Sequence, residues 1–560
     1  MRRHTDDREL DGRTLSQCDE ELGALRSIQK QLERRVASVC RKRNTFSPVN
    51  ALPPELLVII FRISIDSEPV MVWSDRGSFM LVCHYWNHLV NNTPSLWTKI
   101  QKSAVPPNAF ITRALENSKD SPLEIEYNAA YGRTVQADEN AFLSAIFLHA
   151  HRWRKATLSV REGAQELERM TTLSAPLLES LSLSALGDPE RARDEPLDIF
   201  GGRPPAKLQE LFLECIPVPW SPKTLCNLKV LDITSIHHLS PSLDQLFAIL
   251  SASPSLESLS ILNVSFSGDA NAPLPNPIHM STLKKLSLKE ISPKITNRIL
   301  AAIHAPECKF GSLRPAVQVD PFETIFTPDV SHFFDHIRSS AYASSVFCGV
   351  GDVTISWEGS WHIVLDVENI RIARRLLDWL SVSPEPKSPA VPLHLTIIES
   401  DSHLVEDILA VMADTEAVHR VTFGYQVPVA GALGMLATGS LVEGSAPELY
   451  PTLEEMWIGK SMDDDEWEHL LRMLRKRLGE TEARDGDQHV KPLRRLELGG
   501  DWYTEDDETV ITEFRLIHWP NRLEEVRRLL GHDGVLLWYR WIVTEDGTLQ
   551  DQPGYRGWNN

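Results

Sequence analysis

Between Pro54 and Ile65, eight of twelve positions are apolar: Leu56, Leu57, Val58, Ile59, Ile60, Phe61, Ile63 and Ile65. The pattern predicts a helix ending near residue 65. The prolines of "FSPVNALPP" (46–54) break what precedes it, while Pro53 and Pro54 suit its first turn. A surface helix shows one apolar stripe and one polar face. This helix is apolar all round, so both of its sides need cover. "DSEPVMVWSDRGS" (66–78) reads as a polar interruption, and "FMLVCHYWNHLV" (79–90) as a second helix. Its Phe79, Val82, Cys83, Trp86, Leu89 and Val90 fall on one stripe. "NNTPSLWTKI" (91–100) ends that helix with a turn and adds Leu96 and Trp97 as a further apolar anchor.

Upstream, residues 15–39 fit a heptad, with Leu15, Leu22, Gln29 and Val36 at a and Cys18, Leu25, Leu32 and Val39 at d. Charged residues, among them Asp19, Glu21, Arg26, Glu33 and Arg35, occupy the flanking e and g sites. This predicts either a coiled coil, with Gln29 as the one polar seam position, or an amphipathic helix folded back on its own protein.

From about residue 105 the period changes. "SPLEIEYNA" (121–129) and "RKATLSV" (154–160) alternate like strands. Then L-x-x-L-x-L recurs: Leu178, Leu181, Leu183; Leu208, Leu211, Leu213; Leu228, Leu231, Ile233; Leu256, Leu259, Ile261; Leu283, Leu286, Leu288. Two later copies are Leu453, Met456, Ile458 and Leu493, Leu496, Leu498. The first leucines of the early five are 30, 20, 28 and 27 residues apart. Leucine-rich repeats run about 20–29 residues, and helical candidates lie between the strands at 243–253, 297–305 and 371–381. A solenoid is therefore preferred over an ordinary α/β sheet of leucine-rich strands. The array is irregular: Ile216, Ile236, Val264 and Ile291 stand where the repeat usually carries Asn or Cys. Copies are weak from 305 to 450, where "HLTIIES" (394–400) and "RVTFGY" (420–425) read as strands and 383–392 as a Pro/Ser loop. Residues 521–543 read as a helix closed by Gly531, a turn and a final strand that caps the open end.

With 560 residues, the chain is too long for a single core. Its net charge of −20 argues against a nucleic-acid surface. Seven cysteines without a C-x-x-C pair support neither a disulfide framework nor a zinc site, and point to a reducing compartment. No run approaches the ~20 apolar residues of a membrane span, and the N-terminus lacks a secretory signal pattern. A cytoplasmic or nuclear protein is expected, with "CRKRN" (40–44) either a nuclear-import patch or a solvated basic helix end. No phosphate-loop, dinucleotide or nucleophile-elbow pattern occurs, and "FCGVGD" (347–352) lacks the length and flanks of one. His149 with His151, and His237 with His238, lack metal-ligand spacing. The acidic runs 462–468 and 504–508 suit solvated helix starts. Hence neither enzyme nor cofactor is expected; a catalytic site hidden in 305–450 would need converging titratable groups.

"LPPELLVIIF", "LVCHYWNHLV" and "TPSLWTKI" resemble the opening, middle and end of the F-box-like family, in order and at sensible spacing. Together with the heptad, the "HAHRWRKATL" stretch (149–158) and the leucine-rich array, they resemble a branch of that family expanded in fungi. The resemblance implies a three-helix unit that docks on the Skp adaptor of an SCF ubiquitin ligase, while the repeats hold a target protein. Leu52, Pro53, Leu56, Leu57, Ile60 and Phe61 would meet the adaptor or the domain core. Val82, Cys83, Trp86, Leu89, Leu96 and Trp97 match the family's later positions. The expected α/β organisation is a heptad helix (1–45), an F-box-like unit (46–102) and an irregular leucine-rich-repeat solenoid with a C-terminal cap (103–560). The insert at 66–78 departs from the family pattern and bears on the adaptor surface. If the insert reshapes that surface, the alternative is a leucine-rich binding scaffold whose F-box-like unit is only structural, its oily helix covered by the chain's own heptad. Neither reading involves membrane or nucleic acid.

Overall fold

The computed structural model describes residues 15–67, 72–102, 108–128, 136–161, 165–186, 195–267, 275–316, 330, 344–348, 352–357, 361–366, 393–397, 402–411, 418–424, 427–438, 450–459, 462–478, 493–498, 519–530, 535–538, 540–543 and 549–552. The expected helix at 371–381, the loop at 383–392 and the acidic run at 504–508 lie outside them. The chain is mixed α/β and divides into two compact units, one of residues 1–188 with 197–208, the other of 189–196 with 209–560.

The first unit opens with helix α1 (Leu15–Asn44), which buries none of its residues. A short 3₁₀ turn (Pro48–Ala51) then leads to α2 (Pro54–Ser67), α3 (Val72–Val82) and α4 (His84–Asn92). Two sequence expectations are corrected here. Part of the expected polar interruption, from Val72 on, is helical. The expected helix at 79–90 breaks at Cys83, whose extended backbone starts α4 while its thiol accepts the Trp86 N–H at 3.5 Å. The break turns the chain back so that Phe79 and Trp86 both reach Phe61, with ring centroids 4.5 and 4.8 Å away. Rings at such separations stack or tilt favourably, a gain that a straight helix would forgo.

Strands β1 (Lys99–Lys102), β2 (Leu123–Asn128), β3 (Trp153–Arg161) and β4 (Ser180–Leu186) follow, each parallel to the last. Their inward side chains, such as Ile125, Ala156, Leu158, Leu181 and Leu183, are buried. Helices Asn108–Asn117 and Gln136–Phe147 connect them, and Phe142 of the second lies 5.4 Å from Tyr127.

In the second unit, each remaining leucine motif forms a strand. β5 (Glu210–Glu214), β6 (Val230–Thr234), β7 (Ser258–Leu262) and the strand Lys285–Ile291 run parallel in register, so that Leu211, Leu231, Leu259 and Leu286 align. Phe310–Pro315 and Trp361–Asp366 extend the parallel run; Asp352–Trp357 and Ser344–Cys348 then pair antiparallel. Strands Leu393–Ile397, Val418–Phe423, Glu455–Ile458, Arg495–Leu498 and Val535–Trp538 are again parallel. The expected single final strand is two, because Arg540–Val543 leaves that sheet to pair antiparallel with Leu549–Gln552.

A shared bend closes the early strands. Cys215, Ser235, Asn263 and Glu290 all lie in the left-handed region, with φ between 52° and 57°. The N–H groups of the first three donate to the carbonyls of Thr234, Leu262 and Lys289 on the neighbouring strand at 2.8–3.0 Å. Non-glycine residues held there cost on the order of 1 kcal/mol each, which the inter-strand bonds offset. The next residues, Ile216, Ile236, Val264 and Ile291, are buried. Aliphatic packing thus follows the bend on each of these strands.

Candidate functional site

The twelve residues singled out from sequence fall into three groups around α2, α3 and α4. Leu57, Phe61, Leu96 and Trp97 are interior. Leu52, Cys83, Trp86 and Leu89 are half-buried, while Pro53, Leu56, Ile60 and Val82 are exposed.

The interior is pinned by directional bonds as well as by rings. Trp86 Nε1 donates to Asn50 Oδ1 at 2.7 Å, and Asn50 Nδ2 donates to the Asn44 carbonyl at 2.8 Å, which ties the start of the unit to α4. Trp97 Nε1 donates to the Val90 carbonyl at 2.7 Å. Arg76 of α3 is buried; its Nε donates to the Leu96 carbonyl at 2.7 Å and its Nη2 to the Lys99 carbonyl at 2.8 Å. Its guanidinium also lies 5.7 Å from the Trp97 ring, within cation–π range. A buried charge costs several kcal/mol unless it is bonded, so these contacts lock α3 against the turn that follows α4. Nothing in "VWSDRGS" announces this role.

α2 has two apolar stripes. Leu57, Phe61 and Ile65 recur every fourth residue and point inward. Leu56, Ile59, Ile60 and Ile63 recur at i, i+3, i+4 and i+7 on the other side, and stand 46–63% exposed. Leu81, Val82 and Tyr85 of the same three-helix unit are exposed too. Of these, Ile59, Ile63, Leu81 and Tyr85 were missed from sequence. The signal for Ile59 and Ile63 was there, since two interleaved helical stripes can be separated when one holds the aromatic ring and the other only aliphatic residues. Helix α1 buries nothing, so it is not the cover of this outward stripe.

Outside this unit, polar side chains among the described residues cap and brace the fold. The acidic run at 462–468 opens a helix: Asp463 Oδ1 accepts the Glu466 N–H at 2.8 Å and Glu466 Oε2 accepts the Asp463 N–H at 3.1 Å, a reciprocal cap. Burial keeps His149 below the usual histidine range and pushes the Cys308 thiol up to about 12. Among the described residues, no three His, Cys, Asp or Glu side chains converge as a metal site would require, and no helix is long and apolar enough to cross a membrane.

No curated protein matches this chain. Residues 49–103, which span the three helices and the Trp97 anchor, match the family described as F-box-like, and this segment is an F-box-like domain.

Proposed function

We propose that this chain is the target-binding subunit of an SCF-type ubiquitin ligase. F-box domains in general bind the Skp adaptor, and the outward stripe Leu56, Ile59, Ile60 and Ile63 is the surface assigned to that contact. The observation that carries the reading is that this stripe, with Leu81, Val82 and Tyr85 of the same unit, stays on the surface while Leu57, Phe61, Ile65, Leu96 and Trp97 are packed inside. Exposed aliphatic clusters of this kind mark interaction sites.

The parallel strands are read as an irregular leucine-rich-repeat solenoid whose outward rows hold the target. Those rows change sign across the sheet. Glu210, Glu214 and Asp232 lie on β5 and β6, Ser258 and Ser260 on β7, and Lys285, Lys289 and Arg314 on the next two strands. A target carrying adjacent basic and acidic patches fits better than the uniformly basic one suggested by net charge. In this mechanism no residue of the chain is a nucleophile. The adaptor holds one end, the strands hold the target, and a separate enzyme transfers ubiquitin to a lysine raised to high local concentration.

The test is co-expression of the full chain with a tagged Skp adaptor. A stoichiometric complex is expected from the wild type, and its loss from Ile60→Asp combined with Ile63→Asp, at an unchanged melting temperature. If the folded wild type fails to co-purify, or if the double variant still does, the assignment is wrong.

A further inference from the structure

Helix α1 is 30 residues long, about 45 Å, and none of them is buried. Leu15, Leu22, Leu25, Leu32, Val36 and Val39, all at heptad a or d positions, are 47–82% exposed, and Ile28 at a g site widens the stripe. Helices in proteins owe most of their stability to packing of an amphipathic face. This one contains Gly23 and two valines and shows no such packing among the described residues.

We infer that α1 pairs with α1 of a second copy of the chain as a parallel, in-register coiled-coil dimer. The stripe spans four heptads, the length at which a heptad pattern specifies a coiled coil. In that register Glu21 at g faces Arg26 at e of the partner copy, twice by symmetry, and no like charges meet at the other g–e pairs within the helix. Gln29 faces its twin, so the two amides bond to each other instead of to Glu33, which accepts from Gln29 Nε2 at 2.9 Å in the lone helix. A fully overlapped antiparallel pair would set each Gln29 against Leu25 and strand its amide in an apolar layer. The acidic first half and basic second half of α1 pull toward the antiparallel pair. Glu20, Lys30, Arg34 and Arg41, however, lie at b and f, pointing away from the seam, where salt screens them. The dimer would present two outward stripes and two strand arrays at once, giving avidity toward a multivalent target.

Sedimentation equilibrium of the full chain at micromolar concentration should give twice 63.2 kDa. Leu25→Asp with Leu32→Asp should give the single mass, with the melting of the rest of the chain unchanged. As a milder probe, Glu21→Arg should weaken the dimer about tenfold by setting like charges together, and Arg26→Glu in the same chain should restore it. Mild oxidation should link Cys18 to its twin at d, a product absent from Cys18→Ser. A monomeric wild type, or a double aspartate variant that remains dimeric, overturns the coiled-coil dimer. A dimer that never links through Cys18 overturns the parallel register.

Discussion

In β6, Leu231 and Ile233 are buried while the alternating Val230, Asp232 and Thr234 face outward. In α2, Leu57 and Phe61 are buried, yet Ile59, Ile60 and Ile63 on the opposite side of the same helix stand about half exposed. Both segments are built from aliphatic residues. The strand alternates with period two, so one face is apolar and the sheet satisfies it within the chain. The helix carries apolar residues on both faces and satisfies only one. An aliphatic side chain the chain buries itself is architecture; one it leaves out, on a helix that already has an interior side, is in the function proposed above a contact for the adaptor.

The sharpest way to break this comparison is to damage each interior. Phe61→Ala removes the ring that Phe79 and Trp86 pack against and should cost about 3–5 kcal/mol, enough to unfold the F-box-like domain locally. Hydrogen exchange of α2 to α4 would report it as lost protection there, with β5 to β7 unaffected. Leu231→Ala should cost about 2–5 kcal/mol by leaving a cavity between aligned leucines, read as a lowered denaturant midpoint. By contrast, Ile60→Asp should change stability by no more than about 0.5 kcal/mol, as an exposed substitution does. Equal destabilisation by Phe61→Ala and Ile60→Asp would erase the distinction between the two faces.

These differences track what the sequence could and could not disclose. All seven leucine motifs form strands whose second and third positions are buried, because period-two burial is a local property of backbone geometry. The break at Cys83 was not legible, because it is decided by where Phe79 and Trp86 must go, a tertiary contact with a residue far back in the chain. Arg76 was hidden for a related reason, since a charged residue in a polar-looking segment gives no local sign that two carbonyls and a ring await it. The F-box-like segment itself was legible from its three motifs. Which stripe of α2 faces outward had a single sign, the Phe61 ring on the inner one, since a helix apolar all round has no polar side by which to orient it.

A finer comparison uses one hydrogen bond. Asn50→Ala should cost about 1 kcal/mol, because it leaves the Trp86 indole N–H without the acceptor 2.7 Å away. The effect should appear in thermal unfolding of the F-box-like domain; no change would show that the packed rings alone hold α4.

The smallest effect extends the contrast to thiols. Cys308 lies buried in the second unit, donates to the Phe310 carbonyl at 3.6 Å and is held near a pKa of about 12, whereas Cys40 is exposed on α1. Only the thiolate attacks an alkylating reagent. At pH 8 a thiol whose pKa burial has pushed so far up stays protonated, so access and charge both protect Cys308. Iodoacetamide followed by mass spectrometry should therefore label Cys40 within minutes and Cys308 only after unfolding. Cys18 offers a third state: half-buried on the lone helix and seated at a d position, it should be protected in a coiled-coil dimer and released by Leu25→Asp with Leu32→Asp. If Cys308 reacts as fast as Cys40 in folded protein, its surroundings open to solvent and the interior of the second unit is not the closed packing that sets it apart from α1. If Cys18 reacts as fast as Cys40 in the wild type, the exposed stripe of α1 stays bare, and the pairing proposed for it does not form.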